Sequence, residues 1–472
     1  MRTLFAAFLL ISSLLSGQTK PAAAPEILVL TNVNVIDSRT GNVSSNMTVV
    51  IKHRQIDAIA KVGVIAPSHG VKVVNASGKY LIPGLWDMHV HSAGGPAAAW
   101  DAKIILPLYI ANGVTGIRDM GGDPTLLEPR KESIERGELL GPHMVIAGPF
   151  LNGGKSDAQT LGVNTPVEGR AAVDALKKRS VDFIKILSGI SREVYFAIAE
   201  ESAKQKIRFA GHVPDSVSAA EAAEAGQRSI EHLSGILLAC STKEDDLRQQ
   251  KLAAIIKEDS GAYAAAEIEE TETYSPEKAQ KLFTQLNDSA TWQVPTLIWD
   301  HTAGNLDDLM SAPDPRLKYV PASVVKEWQP AKLTSPSRLA QAKKIAAAHI
   351  DVARAMQRAG VLLLAGSDGP DPYVFPGFSL HEELGLLVQA GFTRAQALRA
   401  ATFEPAVFLG KVSQYGSVEK GKAADLVLLD GSPLDDIRNT RKIAAVIVGG
   451  RYYSREELDN MLAEAAAVAK TE

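Results

Sequence analysis

The 472-residue chain has a single cysteine, Cys240, so no intrachain disulfide can form and no cysteine-rich metal knuckle exists. It has little excess of either charge. Fifty basic and 54 acidic residues leave a net charge of −4, without the basic footprint of a nucleic-acid binder. It also lacks long apolar runs. The run near the start, Leu4–Leu15, is too short to span a bilayer as a helix. Internal repeats and low-complexity tracts are absent. The 46% hydrophobic and 22% charged residues match a soluble globular protein, which excludes a disordered chain and a polytopic membrane protein.

The first residues read as a targeting segment. Arg2, the apolar run and the small and polar residues SGQTKPAAAP form the pattern of a secretory signal peptide, residues 1–24. No cysteine follows the run, so a lipoprotein anchor is excluded. The expectation is an exported protein, periplasmic or secreted, with no membrane attachment after cleavage. Cys240 is then expected to be a buried, small apolar side chain.

The rest of the chain changes texture twice. Residues 25–82 carry β-branched runs separated by turn signals, as in ILVLTNVNVID and VKVVNASGKYLIP. Similar runs, ADLVLLDGSP and KIAAVIVGGRYY, return within 413–472, which ends in an expected helix. One small β domain assembled from both termini is therefore expected. Between them, residues 83–412 alternate short apolar runs with helical stretches, which implies a parallel sheet. GVTGIRDM, HMVIAGPF, DFIKIL, IRFAGHV, RSIEHL, VPTLIW and VLLLAGSD, with the lead into His89, supply eight strands. Eight strands allow a closed (β/α)8 barrel. Thr393 and Gln396 form a capping-box signature, and Gly360 is placed to stop the helix that begins near Gln341. Two segments exceed ordinary connections, the charged, helix-prone 241–291 and the proline-rich 301–340; both follow late strands and could roof the barrel mouth.

The ten histidines carry the functional argument. His89 and His91 end an apolar run at a spacing that points both to one face of a strand. His212 ends IRFAGHV, His232 ends RSIEHL and Asp368 ends VLLLAGSD. Barrel enzymes project their chemistry from the C-terminal ends of strands. Lys185, flanked by Phe183, Ile184, Ile186 and Leu187, would be costly to bury as an ammonium. Each residue has a plain structural alternative: a hydrogen-bonding histidine, a lysine reaching to water, an aspartate capping a helix. The ordered series His-x-His, Lys, His, His, Asp, each at its own strand, is what points to a metal site.

LIPGLWDMHVH and this series resemble the amidohydrolase superfamily, specifically its binuclear subtype with a carboxylated lysine. SIEHL, VPTL, AGSD, HEELGLLVQAG and GKAADLVLLD are similar to the branch of imidazolonepropionase-like and Xaa-Pro dipeptidase-like proteins. The resemblance runs from about residue 26 to 455. It implies an α/β fold, a metal-bearing (β/α)8 barrel with a composite β-sandwich. It implies two divalent ions, zinc first, with manganese, cobalt or nickel open. His89, His91 and Asp368 would hold the more buried ion, His212 and His232 the more exposed one, and a carboxylated Lys185 would bridge them. Asp368 would be the general base toward a water activated between the metals.

Three further residues are substrate-side candidates. Arg118 could meet a substrate carboxylate or form a structural salt bridge. His301 lies just past VPTLIWD, at the exit of a strand. Where many members of the branch carry Gly-Gly-His, this chain has Gly153, Gly154 and Lys155, and Lys155 would favour an anionic group. Leu233 stands where the branch usually has glycine. His143 and His381 are expected in structural or packing roles, His349 not as a ligand, and His53 and His69 at the surface. The expected reaction is hydrolysis of a C–N bond in a dipeptide-like or N-acyl amino acid substrate. The alternatives are the same metals acting on a cyclic amide, lactone or phosphoester, or an inactive binding scaffold. The partner is a small molecule, with no nucleic acid; a homo-oligomer is compatible with the sequence.

Overall fold

The computed structural model describes residues 27–65, 71–94, 97–179, 181–328 and 335–472. The expected signal peptide and His69 lie outside them.

Both ends of the chain build one eight-stranded sheet. Its joint is the short strand Tyr80–Pro83, which pairs in parallel with Ile27–Asp37 and antiparallel with Leu426–Leu429. Alternating residues of these strands, among them Leu28, Leu30, Val49, Leu81, Leu426 and Leu428, form a core of their own. Cys240 is buried, as expected.

The central region is α/β, with parallel strands that fall into two sheets rather than one uninterrupted cylinder. Leu85–Val90, Val114–Asp119 and His143–Ile146 form the first. Phe183–Ile186, Arg208–Gly211, Ser229–Glu231 and Trp292–Val294 run through the second, beside the short strands Phe150–Asn152 and Thr160–Gly162. Backbone hydrogen bonds continue across both gaps. Asp182 N donates to Ile146 O at 2.9 Å. On the other side, residues 361–369 accept from Gln293 N at Leu362 O and from Met88 N at Ala365 O, each at 2.9 Å. This last segment was expected as a strand, but it makes only isolated parallel bridges to its neighbours. VPTLIW is also divided. The strand is Trp292–Val294, Thr296 turns the chain at φ 47°, and Leu297 begins a helix.

Met88, Phe183, Ala210, Trp292 and Leu364, from five segments around this ring, pack into one apolar cluster. It fills the interior beneath the polar strand ends. The 241–291 segment folds into three helices, Glu244–Ile256, Ser260–Glu272 and Pro276–Asp288. Helix Pro336–Arg358 packs against the second of them. No helix among the described residues is long and apolar enough to cross a membrane.

Candidate metal centre

His89 and His91 each place Nε2 at 3.3 Å from the same oxygen, Oδ1 of Asp368. Each ring is oriented from its other nitrogen. His89 Nδ1–H donates to Glu231 Oε2 at 2.8 Å, and His91 Nδ1–H donates to the Gly121 carbonyl at 2.7 Å. These acceptors fix the protons on Nδ1 and leave the Nε2 lone pairs aimed at a carboxylate. Burial holds His89 well below the usual imidazole range, so it is neutral, and its buried Nε2 has no hydrogen-bond partner. Lone pairs and an anionic oxygen facing one another call for a cation between them. The three ligand atoms lie within 4.8 Å of one another, so the set fits a divalent ion.

His232 and His212 extend the cluster, with ring centroids 5.1 Å apart and His232 4.5 Å from His89. The Thr296 hydroxyl donates to Pro295 O and therefore accepts from His232 Nδ1, at 2.8 Å. His212 Nδ1 pairs with Ser188 Oγ at 2.9 Å. Both rings are pulled below the ordinary value, chiefly by burial. Lys185 is 1% exposed and makes no hydrogen bond to a described residue. It lines the same cavity as His91, His212, His232 and Asp368. Burial lowers its amine to about 8, against the attraction of Glu231 and Asp368. His91, Lys185, His212, His232 and Asp368 thus line one cavity, with the His89 ring 4.5 Å from that of His232, and the cluster with metal-ligand spacing is His89, His91 and Asp368.

The backbone around these groups is unusual. Asp368 and His232 have φ of 61° and 58°, and Leu233 follows at 52°. Leu233 therefore holds a left-handed conformation that glycine adopts more readily, and its side chain is buried.

Three substrate-side expectations require correction. Arg118 is not in the cavity with the histidines. It is 1% exposed, with Nη2 at 2.9 Å from both Glu231 oxygens, Nη1 donating to Ser229 Oγ and Nε to Met88 O. Its donors are engaged, so of the two readings the salt bridge is the one observed. Lys155 is exposed on its loop and does not line the cavity. His301 is exposed on helix Leu297–Gly304, whose turn sends it to a separate surface cleft. Trp299, two residues earlier, faces the cavity instead. His143 pairs with Asp425 at 3.0 Å, and His381 with Thr440 and the Asn112 carbonyl, as structural residues should. His53 sits at an exposed hairpin turn.

Several residues of the site went unrecognised in the sequence. Glu231 sits beside a ligand candidate and carries no strand-end signal of its own. His349 pairs with Asp300 at 2.7 Å and lines the cavity. Lys251, Tyr263 and Glu270 reach it from the 241–291 helices, Lys251 Nζ lying 3.0 Å from both Asp215 and Glu270. The cavity has a volume of about 460 Å³, enough for a dipeptide-sized molecule.

The site is thus a set of histidines and acids at the strand ends of a parallel α/β core, above an apolar plug. Residues 310–452 match the amidohydrolase family model. The chain is similar to ochratoxinase of Aspergillus niger, with 22% identity, over 79% of this chain and 75% of that protein. Among solved structures it resembles a putative prolidase from Bifidobacterium longum, 25% identical, with a TM-score of 0.68 over 94% of this chain and 99% of that one. It also shares the fold of bottromycin amidohydrolase, at 21% identity and a TM-score of 0.70, covering 94% and 91%. The family match over residues 310–452 and these hydrolase relatives mark the chain as a hydrolase, and the shared fold implies a TIM barrel joined to a β-sandwich.

Proposed function

We propose that this protein is an exported, metal-dependent amidohydrolase that cleaves the amide bond of a dipeptide-like or N-acyl amino acid substrate. The observation that carries the reading is the convergence of His89, His91 and Asp368, with both Nε2 atoms facing one carboxylate oxygen. His212, His232 and Lys185 border the same cavity, which supports a second ion beside the first. The relatives support an amide as the bond, since they include prolidases, a Xaa-Pro dipeptidase and bottromycin amidohydrolase. The ring of parallel segments is read as a (β/α)8 barrel. Export rests on the first 24 residues.

His89, His91 and Asp368 would hold one ion and His212 and His232 the other. Divalent ions there would acidify a water and polarise the scissile carbonyl. Lys185 suits a bridging role once carboxylated. Its depressed pKa supplies the neutral amine, which adds to carbon dioxide, forming an N–C bond and releasing one proton. Asp368, at 3.7 Å from His232 Nδ1 through Oδ2, is placed to accept the proton of the attacking water and deliver it to the leaving nitrogen. Glu231 keeps His89 in the tautomer that leaves Nε2 free. Trp299 and residues of the 241–291 helices line the cavity.

Elemental analysis of the purified protein should find bound divalent metal, reduced in His89→Ala and in His212→Ala along with activity. Undiminished metal in both variants would refute the assignment. Lys185→Ala should be inactive and partly restored by short carboxylic acids. In a panel of dipeptides, N-acyl amino acids and lactones, turnover of lactones without amides would displace the proposed substrate class.

A further inference from the structure

A second cavity, about 230 Å³, lies at the opposite end of the ring, where Arg208 and Phe183 begin the strands that lead toward His212 and Lys185. Its floor includes Phe183 and Phe408. Around it stand Lys177, Lys206, Arg208, Arg228 and Lys411. None of these five makes an ion pair among the described residues. The acid at the rim, Asp182, already accepts through Oδ2 from Lys131 Nζ at 2.7 Å and from the Ile146 amide at 2.8 Å, and the five cations outnumber it. Arg118 forms part of the inner wall but is committed to Glu231.

The two arginines are under-used. Arg208 Nη1 donates to Phe408 O, and Arg228 Nη1 to Ala290 O, each at 2.8 Å. Arg228 Nε is buried without a partner, and its guanidinium lies 5.2 Å from the Phe408 ring. Burial, then the neighbouring Arg208 charge, pull Arg228 below its ordinary value. Cations gathered in excess of counter-charge around a concave surface repel one another and weaken the fold. The base of such a barrel ordinarily serves stability, and this arrangement does not.

We propose that this cavity binds a small multivalent oxyanion of the phosphate type, gripped by Arg208 and Arg228 and neutralised further by Lys177, Lys206 and Lys411. The guanidinium fork matches the geometry of a tetrahedral oxyanion, and several cations favour a dianion over a single carboxylate. The site is independent of the metal centre.

The test is calorimetric titration of the full chain with inorganic phosphate, beside thermal melting in phosphate and in chloride at matched ionic strength. Phosphate can also meet divalent ions, so chelator-treated and metal-loaded protein are compared. The expected result is saturable binding that survives chelation and raises the melting temperature beyond chloride. Arg228→Gln should weaken it at least tenfold. Lys411→Gln, at an exposed position, should weaken it several-fold while leaving phosphate-free melting unchanged or slightly raised. Absence of saturable binding after chelation, or equal phosphate response in wild type and Lys411→Gln, would overturn the proposal. So would capture by phosphatidylglycerol but not phosphatidylcholine vesicles without affinity for free phosphate, since a lipid headgroup would then be the ligand.

Discussion

Arg118 illustrates how depth decides a role. Its sequence position, at the end of a strand, is compatible with a substrate-binding arginine. Its place in the structure is under Glu231, between the rings of Phe183 and Phe408 at 5.5 and 5.0 Å. Glu231 in turn sets the His89 tautomer, so Arg118 acts on the site through two neighbours. Arg118→Ala should lower the unfolding free energy by about 3–5 kcal/mol, because Glu231 would be left as an uncompensated buried charge. A substrate-binding role would instead raise KM with little loss of stability; denaturant titration together with kinetics separates the two. His349 offers a pH test. Burial opposes its charge, but Asp300, at 2.7 Å, outweighs that and raises its pKa. Asp300, Glu267 and Glu270 all favour the imidazolium. A raised folded pKa means that the contribution is complete below the unfolded value of about 6.5 and is lost as pH rises through the folded value. The melting-temperature gap between wild type and His349→Gln should therefore be widest near about pH 6 and narrow toward about pH 9. A gap that widened with pH would contradict this pairing.

At the scale of elements, the strand ends were legible and the connections less so. Strand cores announce themselves by short apolar runs, and the caps by their own side chains. Thr393 and Gln396 form both reciprocal capping bonds, and Gly360 follows helix Pro336–Arg358 at φ 70°. The run VPTLIW misled because Pro295 and Thr296 reverse the chain inside an apolar stretch, and hydrophobicity alone does not distinguish a buried strand from a buried helix start. That error carried His301 to the wrong surface. The close approach of strands also constrains the site. Gly211 precedes His212 at φ 132°, and a Cβ there would lie 2.2 Å from Ile186 O. Gly211→Ala should cost about 2 kcal/mol or more in urea unfolding and displace His212, lowering bound metal. Near-wild-type stability with full metal would show that the strand pair tolerates the shift.

At the scale of the whole molecule, the two chain ends depend on each other. Leu81 and Ile82 are fully buried, and the strand that contains them is bonded to Leu426–Leu429. Asp425 ties this junction to the central ring through His143, at 3.0 Å, and accepts from Gly449 N at 2.7 Å. A chain ending at Lys420 would leave Tyr80–Pro83 as an unpaired, apolar edge. It should accumulate in the insoluble fraction, whereas a soluble, monodisperse product on gel filtration would mean that the first strands fold without the last. The 241–291 helices belong to the same scale. Their charges were visible as a solvated, helical pattern, but Lys251 and Glu270 face inward, because Asp215 and Glu270 together compensate a buried ammonium.

The amino-acid order by itself determined the alternation of strands and helices, the return of the chain to its first sheet, and the residue types able to hold metal. Those features are written locally, in period, in turn residues and in the position of a polar group after an apolar run. Tertiary structure alone decided which of those groups meet and from which side. It put Arg118 beneath Glu231 rather than before a substrate, turned Trp299 in and His301 out, and gathered cations from separate segments at the far end of the ring. Such outcomes depend on depth and on partners distant along the chain, and no local pattern encodes either.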